Sequence, residues 1–278
     1  MAASPSRFRL TAKFRFRVMS EHNREIYEDE RTARHYGGMG DLFAAERAAL
    51  ALVAESCRGA RILDLGVGGG RTTPYLLAIS SAYTGADYAD AMVQACRERY
   101  PGVRFDLADA RELDQFEDAA FDFVLFSFNG MDYALHADRL RILSAIHRVL
   151  SGNGVFVFSS HNAAFDRTRL YSRPLRVWAA LHDLIGACMS GSGRRRFGED
   201  DGVAYEYRME RLWNVGWWLR TYYITTADKV TQLARHGFHC EAMIGTDGNQ
   251  LKEASDAVNP LIYYMARKVS RFNDPLFQ

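Results

Sequence analysis

"RILDLGVGGGRTTPYL", residues Arg61 to Leu76, sets four glycines within five residues between an apolar run and a helical pattern. A short apolar run ending in glycine reads as a buried parallel strand turning into a helix. Three kinds of small molecule compete for such a turn: a dinucleotide, a phosphate, or a ligand without phosphate. Outward from it, "AYTGADY", "VRFDLAD", "FDFVLFSFN" and "GVFVFSS" read as further strands. The helical patterns "TTPYLLAISS", "ADAMVQACRERYP" and "DRLRILSAIHRVLS" lie between them, and "GNG" reads as the turn before the fifth strand. Five alternations of strand and helix call for a parallel sheet with helices on both faces.

Before the turn, "GDLFAAERAALALVAES" is helical, opened by "GGMGD" as a loop and N-cap signal. After His161 the alternation lapses for some sixty residues. "RPLRVWAALHDLIGACM" is helical, "SGSGRRRFGEDDG" is a polar loop, and "VAYEYRMERLW" and "WWLRTYYIT" form a hairpin around Gly216. "TADKVTQLARHG" is a helix with Thr226 as N-cap and Gly237 as C-terminal glycine, and "FHCEAMIG" and "PLIYYMARKV" finish as strands. The resulting division is a basic extension over 1–20 and one domain over 21–278. The domain comprises a helical cap (21–58), a ligand-binding core (59–162), an insertion or lid (163–225) and a final helix with strands (226–278).

The 278 residues are 48% hydrophobic and 25% charged, with a net charge of +1, so no global field attracts nucleic acid or a membrane surface. No apolar run reaches the roughly 18 residues of a membrane span. Cys57, Cys96, Cys188 and Cys240 form neither a CxxC pair nor a zinc spacing, so no metal is expected and the thiols fit a reducing cytoplasm. Arginine supplies 31 of the 35 basic residues, a high-GC bacterial signature. In "MAASPSRFRLTAKFRFRV", basic and aromatic residues alternate at a period of two, which suits a strand and not the amphipathic helix of a transit peptide. A loosely packed extension and a start at Met19 both fit.

A phosphate loop needs Gly-Lys-Ser/Thr, whereas Gly70 is followed by Arg71, Thr72 and Thr73. A dinucleotide turn needs a third small residue, and counting from Gly66 that place holds Arg71. S-adenosylmethionine (SAM) carries no phosphate and needs close backbone approach, which glycine permits. Asp87 ends the next strand, twenty-one residues after Gly66, as the carboxylate for ribose hydroxyls. Tyr88 and Met92 would flank the adenine, Asp109 would accept from its amino group, and the Ala110 N–H would donate to its ring.

"LDLGVGGGRTT", "GADYADAM", "FDLADAREL", "FDFVLFSFNGMDY" and "IHRVLSGNGVFVFSSHN" occur in order, and over residues 61–162 the chain resembles a class I, Rossmann-type SAM-dependent methyltransferase. The resemblance implies a doubly wound α/β fold with a seven-stranded, mostly parallel sheet whose last strand is antiparallel. It implies that Gly66, Gly68 and Gly70 face the methionine end with Asp64 beneath, that Phe126 lies beside the methionine amino group, and that Tyr36 closes an N-terminal helix over the cofactor.

In-line methyl transfer needs alignment above all, with a base where the acceptor carries a proton. His161 and Tyr133 are the catalytic candidates, and Asn129, Asp132 and Tyr27 are placed on the acceptor side. His161 equally suits a strand-end cap. Trp217 and Trp218 stand for the aromatic hairpin, which either packs its own face or closes over an apolar or aromatic small molecule. Nothing grips a flipped base, so nucleic acid is not the expected acceptor. The oligomeric state, a homodimer included, is open. So are two other classes: a SAM-binding partner protein without turnover, and a nicotinamide-dependent oxidoreductase.

Overall fold

The computed structural model describes residues 27–28, 32, 35–36, 38, 40–165, 196–198, 201–211, 218–252 and 259–269. Its sheet is built outward from β1 (Ile62–Leu65), every residue of which is buried. β1 pairs in parallel with β2 (Tyr83–Asp87) on one edge and β4 (Phe121–Phe126) on the other. β3 (Arg104–Leu107) extends the β2 side, and β5 (Leu150–Asn162) runs parallel to β4. β9 (Phe238–Ile244) and β10 (Leu261–Lys268) complete a seven-stranded set, with β10 antiparallel to both β5 and β9.

Alternation along the central strands builds two cores, because successive side chains point to opposite faces. Leu63, Val124, Phe126, Phe156 and Phe158 pack with Ile142, Leu143 and Ile146 of α4 (His136–Val149) and Leu233 of α5 (Thr226–Arg235). Ile62, Phe123, Leu125, Val155 and Val157 face the other way. They meet α1 (Ala44–Ala54) through Ala49 and Val53, α2 (Thr73–Ile79) through Leu76, and α3 (Asp90–Arg99) through Val93 and Cys96.

The insertion adds three strands to this sheet. β6 (Arg196–Phe197) pairs with β7 (Ala204–Arg211), and β7 pairs antiparallel with β8 (Trp218–Ile224). β4 stops opposite Phe158, and β8 then takes over the vacated edge of β5 at His161 and Asn162. Three consecutive amides there go to three places: His161 N donates to Asp132, Asn162 N to the Pro260 carbonyl, and Ala163 N to the Ile224 carbonyl.

Local departures from the sequence reading have physical causes. "GNG" does not break the chain, since β5 begins at Leu150 and the register shift opposite Phe121–Phe123 absorbs those residues as a bulge. Thr225, not Thr226, caps α5, because its hydroxyl accepts from Asp228 N at 3.1 Å. Residues 1–20 and the helical pattern after Arg173 lie outside the described residues. Among the described residues, no helix is long and apolar enough to cross a membrane.

Candidate functional site

The glycine turn leaves β1 at the carboxyl edge of the sheet. At Gly68 the backbone has φ +54, and a Cβ there would meet only Tyr36, at 4.0 Å. A side chain would therefore fill the space between turn and Tyr36. Asp87, at the end of β2, fastens the turn: its Oδ2 accepts from Gly68 N at 2.9 Å and its Oδ1 from Ala89 N at 3.0 Å. Burial raises its pKa to about 6, against the opposing pull of those amides. Asp64 lies beneath, accepting from Thr72 Oγ1 at 2.6 Å and the Tyr83 hydroxyl at 3.0 Å, and burial lifts it to about 7. The Cys96 thiol donates to the Gly68 carbonyl.

Over this turn opens a cleft of ≈ 900 Å³, mouth included. Asp64, Gly66, Gly68 and Asp87 form its floor, with Phe126 against Gly66. Tyr88, Met92 and Ala110 line one flank, and Tyr27, Tyr36 and Tyr133 cover it. The Tyr27 ring lies 5.9 Å from Tyr36 and 6.1 Å from both Tyr88 and Tyr133. Burial pushes the Tyr27 hydroxyl well up, so it stays neutral. The cleft continues past Ala110 and Tyr133 toward Asp109 and Ile142. A glycine cradle, a recessed carboxylate at the next strand end and apolar flanks fit the adenosyl and methionine parts of SAM.

Two cofactor residues stand differently from expectation. Gly70 does not line the cleft: a Cβ there would lie 2.7 Å from the Tyr100 ring and 3.2 Å from Cys96 Sγ, so its bare face is spent on Cys96 of α3 and on Tyr100 just beyond that helix. Tyr100 further donates to the Gly70 carbonyl. Asp109 borders the outer cleft, but its oxygens already accept from the Arg111 backbone and guanidinium, which holds the carboxyl below the usual range although burial opposes this.

A buried group escaped the sequence reading. Glu46 of α1 accepts from both terminal nitrogens of Arg71 and from Ser127 Oγ, which lies 2.8 Å from the Tyr263 hydroxyl. The Arg71 guanidinium sits 5.2 Å from the Phe43 ring and 5.4 Å from Phe128. The place where a dinucleotide turn needs a small residue thus holds an ion-paired arginine on the cleft wall. Glu46 falls on the buried stripe of Leu42, Ala49, Leu50 and Val53, and a charge at a core position of an amphipathic helix is the signal that marks it.

At the acceptor side, one turn of 3₁₀ helix (Gly130–Tyr133) follows β4. Gly130 and Tyr133 face the cleft, whereas Asp132 is buried and faces the other way. The expectation that Asp132 touches the acceptor is corrected, because its oxygens are occupied by Arg139, Ser160 and His161. His161 does not line the cleft either. It stands across this turn, its Nε2 3.4 Å from Asn129 Nδ2. In the hairpin, Tyr207 and Tyr222 pair across the strands in a buried cluster with Val203 and Ile224, which is packing of its own face. Tyr223 points opposite, its ring 4.9 Å from His161. Trp217 lies outside the described residues, and Trp218 is described only as the first residue of β8.

Residues 63–158 match the family model described as "Methyltransferase domain". A Mycolicibacterium smegmatis protein named a probable S-adenosylmethionine-dependent methyltransferase is 31% identical over 110 residues, covering 40% of this chain and 41% of that one. A phosphatidylethanolamine N-methyltransferase of Cereibacter sphaeroides is 33% identical over 114 residues, covering 39% and 54%. The matched stretch thus spans about half the length of these curated relatives. In fold, the chain is similar to the Burkholderia thailandensis 1,6-didemethyltoxoflavin-N1-methyltransferase, with a TM-score of 0.59 and 19% identity over 97% of this chain and 94% of that one.

Proposed function

We propose, from the premise that residues 63–158 form a class I, Rossmann-type SAM-dependent methyltransferase domain, that the protein methylates a small-molecule acceptor of apolar or aromatic character. The observation that carries this reading is Asp87 clamping the Gly68 amide at the floor of a tyrosine-covered cleft. Asp87 would accept from the ribose hydroxyls, Tyr88 and Met92 would flank the adenine, and the Ala110 N–H would serve its ring. Gly66, Gly68 and Phe126 would receive the methionine end above Asp64. When bound, SAM supplies an electrophilic methyl on a positively charged sulfur. The residues around it align the acceptor and exclude water, and such positioning supplies on the order of 7–11 kcal/mol.

On the acceptor side, Tyr133 lines the cleft and would orient the acceptor, while His161 and Asn129 stand one turn behind its wall, so His161 would take the proton of an acceptor that reaches past Gly130. The Cereibacter relative is named a phosphatidylethanolamine N-methyltransferase, and an acceptor that is neither nucleic acid nor protein in that relative favours a small-molecule acceptor here. The test is S-adenosylhomocysteine release, read by mass spectrometry, from SAM and a panel of phenols, amines and N-heterocycles. Calorimetric SAM binding with no product from any acceptor would favour a binding protein without turnover, and binding of NADH in place of SAM would reject the reading.

A further inference from the structure

We infer that Asp132, held by Arg139, is the positioning residue that fixes His161 in the tautomer with its lone pair on Nε2, the nitrogen that serves as the base, and that the acceptor's nucleophilic atom carries a proton to be removed. This deepens the assignment of His161 above and rests on it.

Asp132 is completely buried, and its two oxygens receive four donors. Oδ1 accepts from Arg139 at 2.7 Å and from Ser160 Oγ at 2.8 Å. Oδ2 accepts from the His161 backbone N–H at 2.7 Å and lies 2.8 Å from His161 Nδ1. An ionised carboxylate only accepts, so Nδ1 must be the nitrogen that carries hydrogen, and the neutral imidazole then keeps its lone pair on Nε2. The Asn129 side-chain nitrogen lies 3.4 Å from Nε2, a long contact that suits this tautomer and must open for Nε2 to take a proton. A mere strand cap would need only the backbone bond. The second bond, to the ring, orients the imidazole.

The groups packed around Asp132 keep its carboxyl ionised. Arg139 is as buried as Asp132, and Lys229 of α5, also fully buried, lies against the Phe158 and Tyr222 rings and donates to Gln232, with burial pushing its pKa well down. Burial opposes the Asp132 charge, yet Arg139, the His161 bond and Lys229 hold its carboxyl below the usual range. From the hairpin, Tyr223 covers the imidazole, and Arg208, bonded to Glu206, stacks on Tyr223 at 4.2 Å. The turn that carries Asp132 also presents Gly130 and Tyr133 to the cleft, so a single turn separates His161 from it.

In the step, the acceptor's X–H bond breaks and its proton goes to Nε2. The electron pair left on X forms the bond to the methyl carbon, and the pair of the broken carbon–sulfur bond stays on sulfur. The imidazolium is then offset by Asp132, and its proton passes to water after product leaves.

The test begins with the wild-type chain: histidine-labelled ¹⁵N NMR at pH 8, with His161 assigned through His161→Gln. The expected result is hydrogen on Nδ1, and hydrogen on Nε2 overturns the inference whether or not any acceptor is known. Asp132→Asn should move the hydrogen to Nε2, while Ser160→Ala, which removes one donor from Oδ1, should leave it on Nδ1. For whichever panel acceptor yields S-adenosylhomocysteine, Asp132→Asn and His161→Gln should each lower kcat by at least about a hundredfold, and the double variant little further. Independent, multiplying losses would overturn the inference. Absence of product from wild type on every acceptor would count against the methyltransferase reading, with the tautomer still deciding the role of Asp132.

Discussion

Protonation of Asp87 should weaken SAM binding, and the size of the effect follows from the site. The carboxylate is 5% exposed, and burial raises its pKa to about 6 in the unliganded protein. Ribose hydroxyls donate, so they favour the ionised form, and affinity must fall as pH drops through about 6. At pH 5 about a tenth of the free protein has Asp87 ionised, so binding should be about tenfold weaker than at pH 7.5. Asp87→Ala removes the ribose acceptor altogether. Two charge-assisted bonds of ~1.5–3 kcal/mol each then vanish, a loss of at least about a hundredfold. The same change frees the amides of Gly68 and Ala89, which loosens the turn in the same direction. Asp64, at about 7, titrates nearby, and Asp64→Asn separates its share. The assay is calorimetry with SAM from pH 5 to 8, after thermal melts show each variant folded. Wild-type affinity in folded Asp87→Ala, or a flat wild-type profile, would refute the assignment.

Two glycine substitutions should part company. Gly68→Val fills the cradle and should abolish measurable SAM binding while the folded state survives, whereas Gly70→Val strikes Tyr100 and should lower the melting temperature first. Arg139→Met should destabilise by about 3–5 kcal/mol in urea denaturation, because it leaves the Asp132 charge buried without its partner. Glu46→Ala strands Arg71 on the cleft wall and should cost stability by a similar amount, an effect to be read with and without saturating SAM. Tyr223→Leu removes the ring packed on His161 and should lower kcat while leaving SAM affinity within about twofold, as measured by steady-state kinetics beside calorimetry.

The strand order and the floor of the cleft could be read along the chain because each rests on local pattern. "ILDL" is a mostly apolar run because β1 is covered on both faces, and Asp87 sits where the next strand must end. The acceptor side was less legible. Asp132 and His161 both stand out as polar residues at strand ends, but nothing in their spacing tells that one holds the other, since Asp132 turns inward on a 3₁₀ turn and meets Arg139 seven residues on. Gly70 looked like its neighbours until the packing of Tyr100, thirty residues away, gave it another task. The hairpin's aromatic residues alternate plainly, yet only the pairing of β8 with the end of β5 decides that Tyr223 meets His161.

The end of β5 also makes a set of adjacent reporters. The amides of His161, Asn162 and Ala163 are bonded in turn to the acceptor-side turn, to the entry of β10 and to the last residue of β8. In a hydrogen–deuterium exchange experiment each amide is protected only while its own junction stays closed. Movement of the inserted hairpin alone should speed exchange at Ala163 and spare Asn162, and opening of the Asp132 turn should speed His161 alone. Three neighbouring peaks in one spectrum would thus tell which wall of the site moves when a ligand enters.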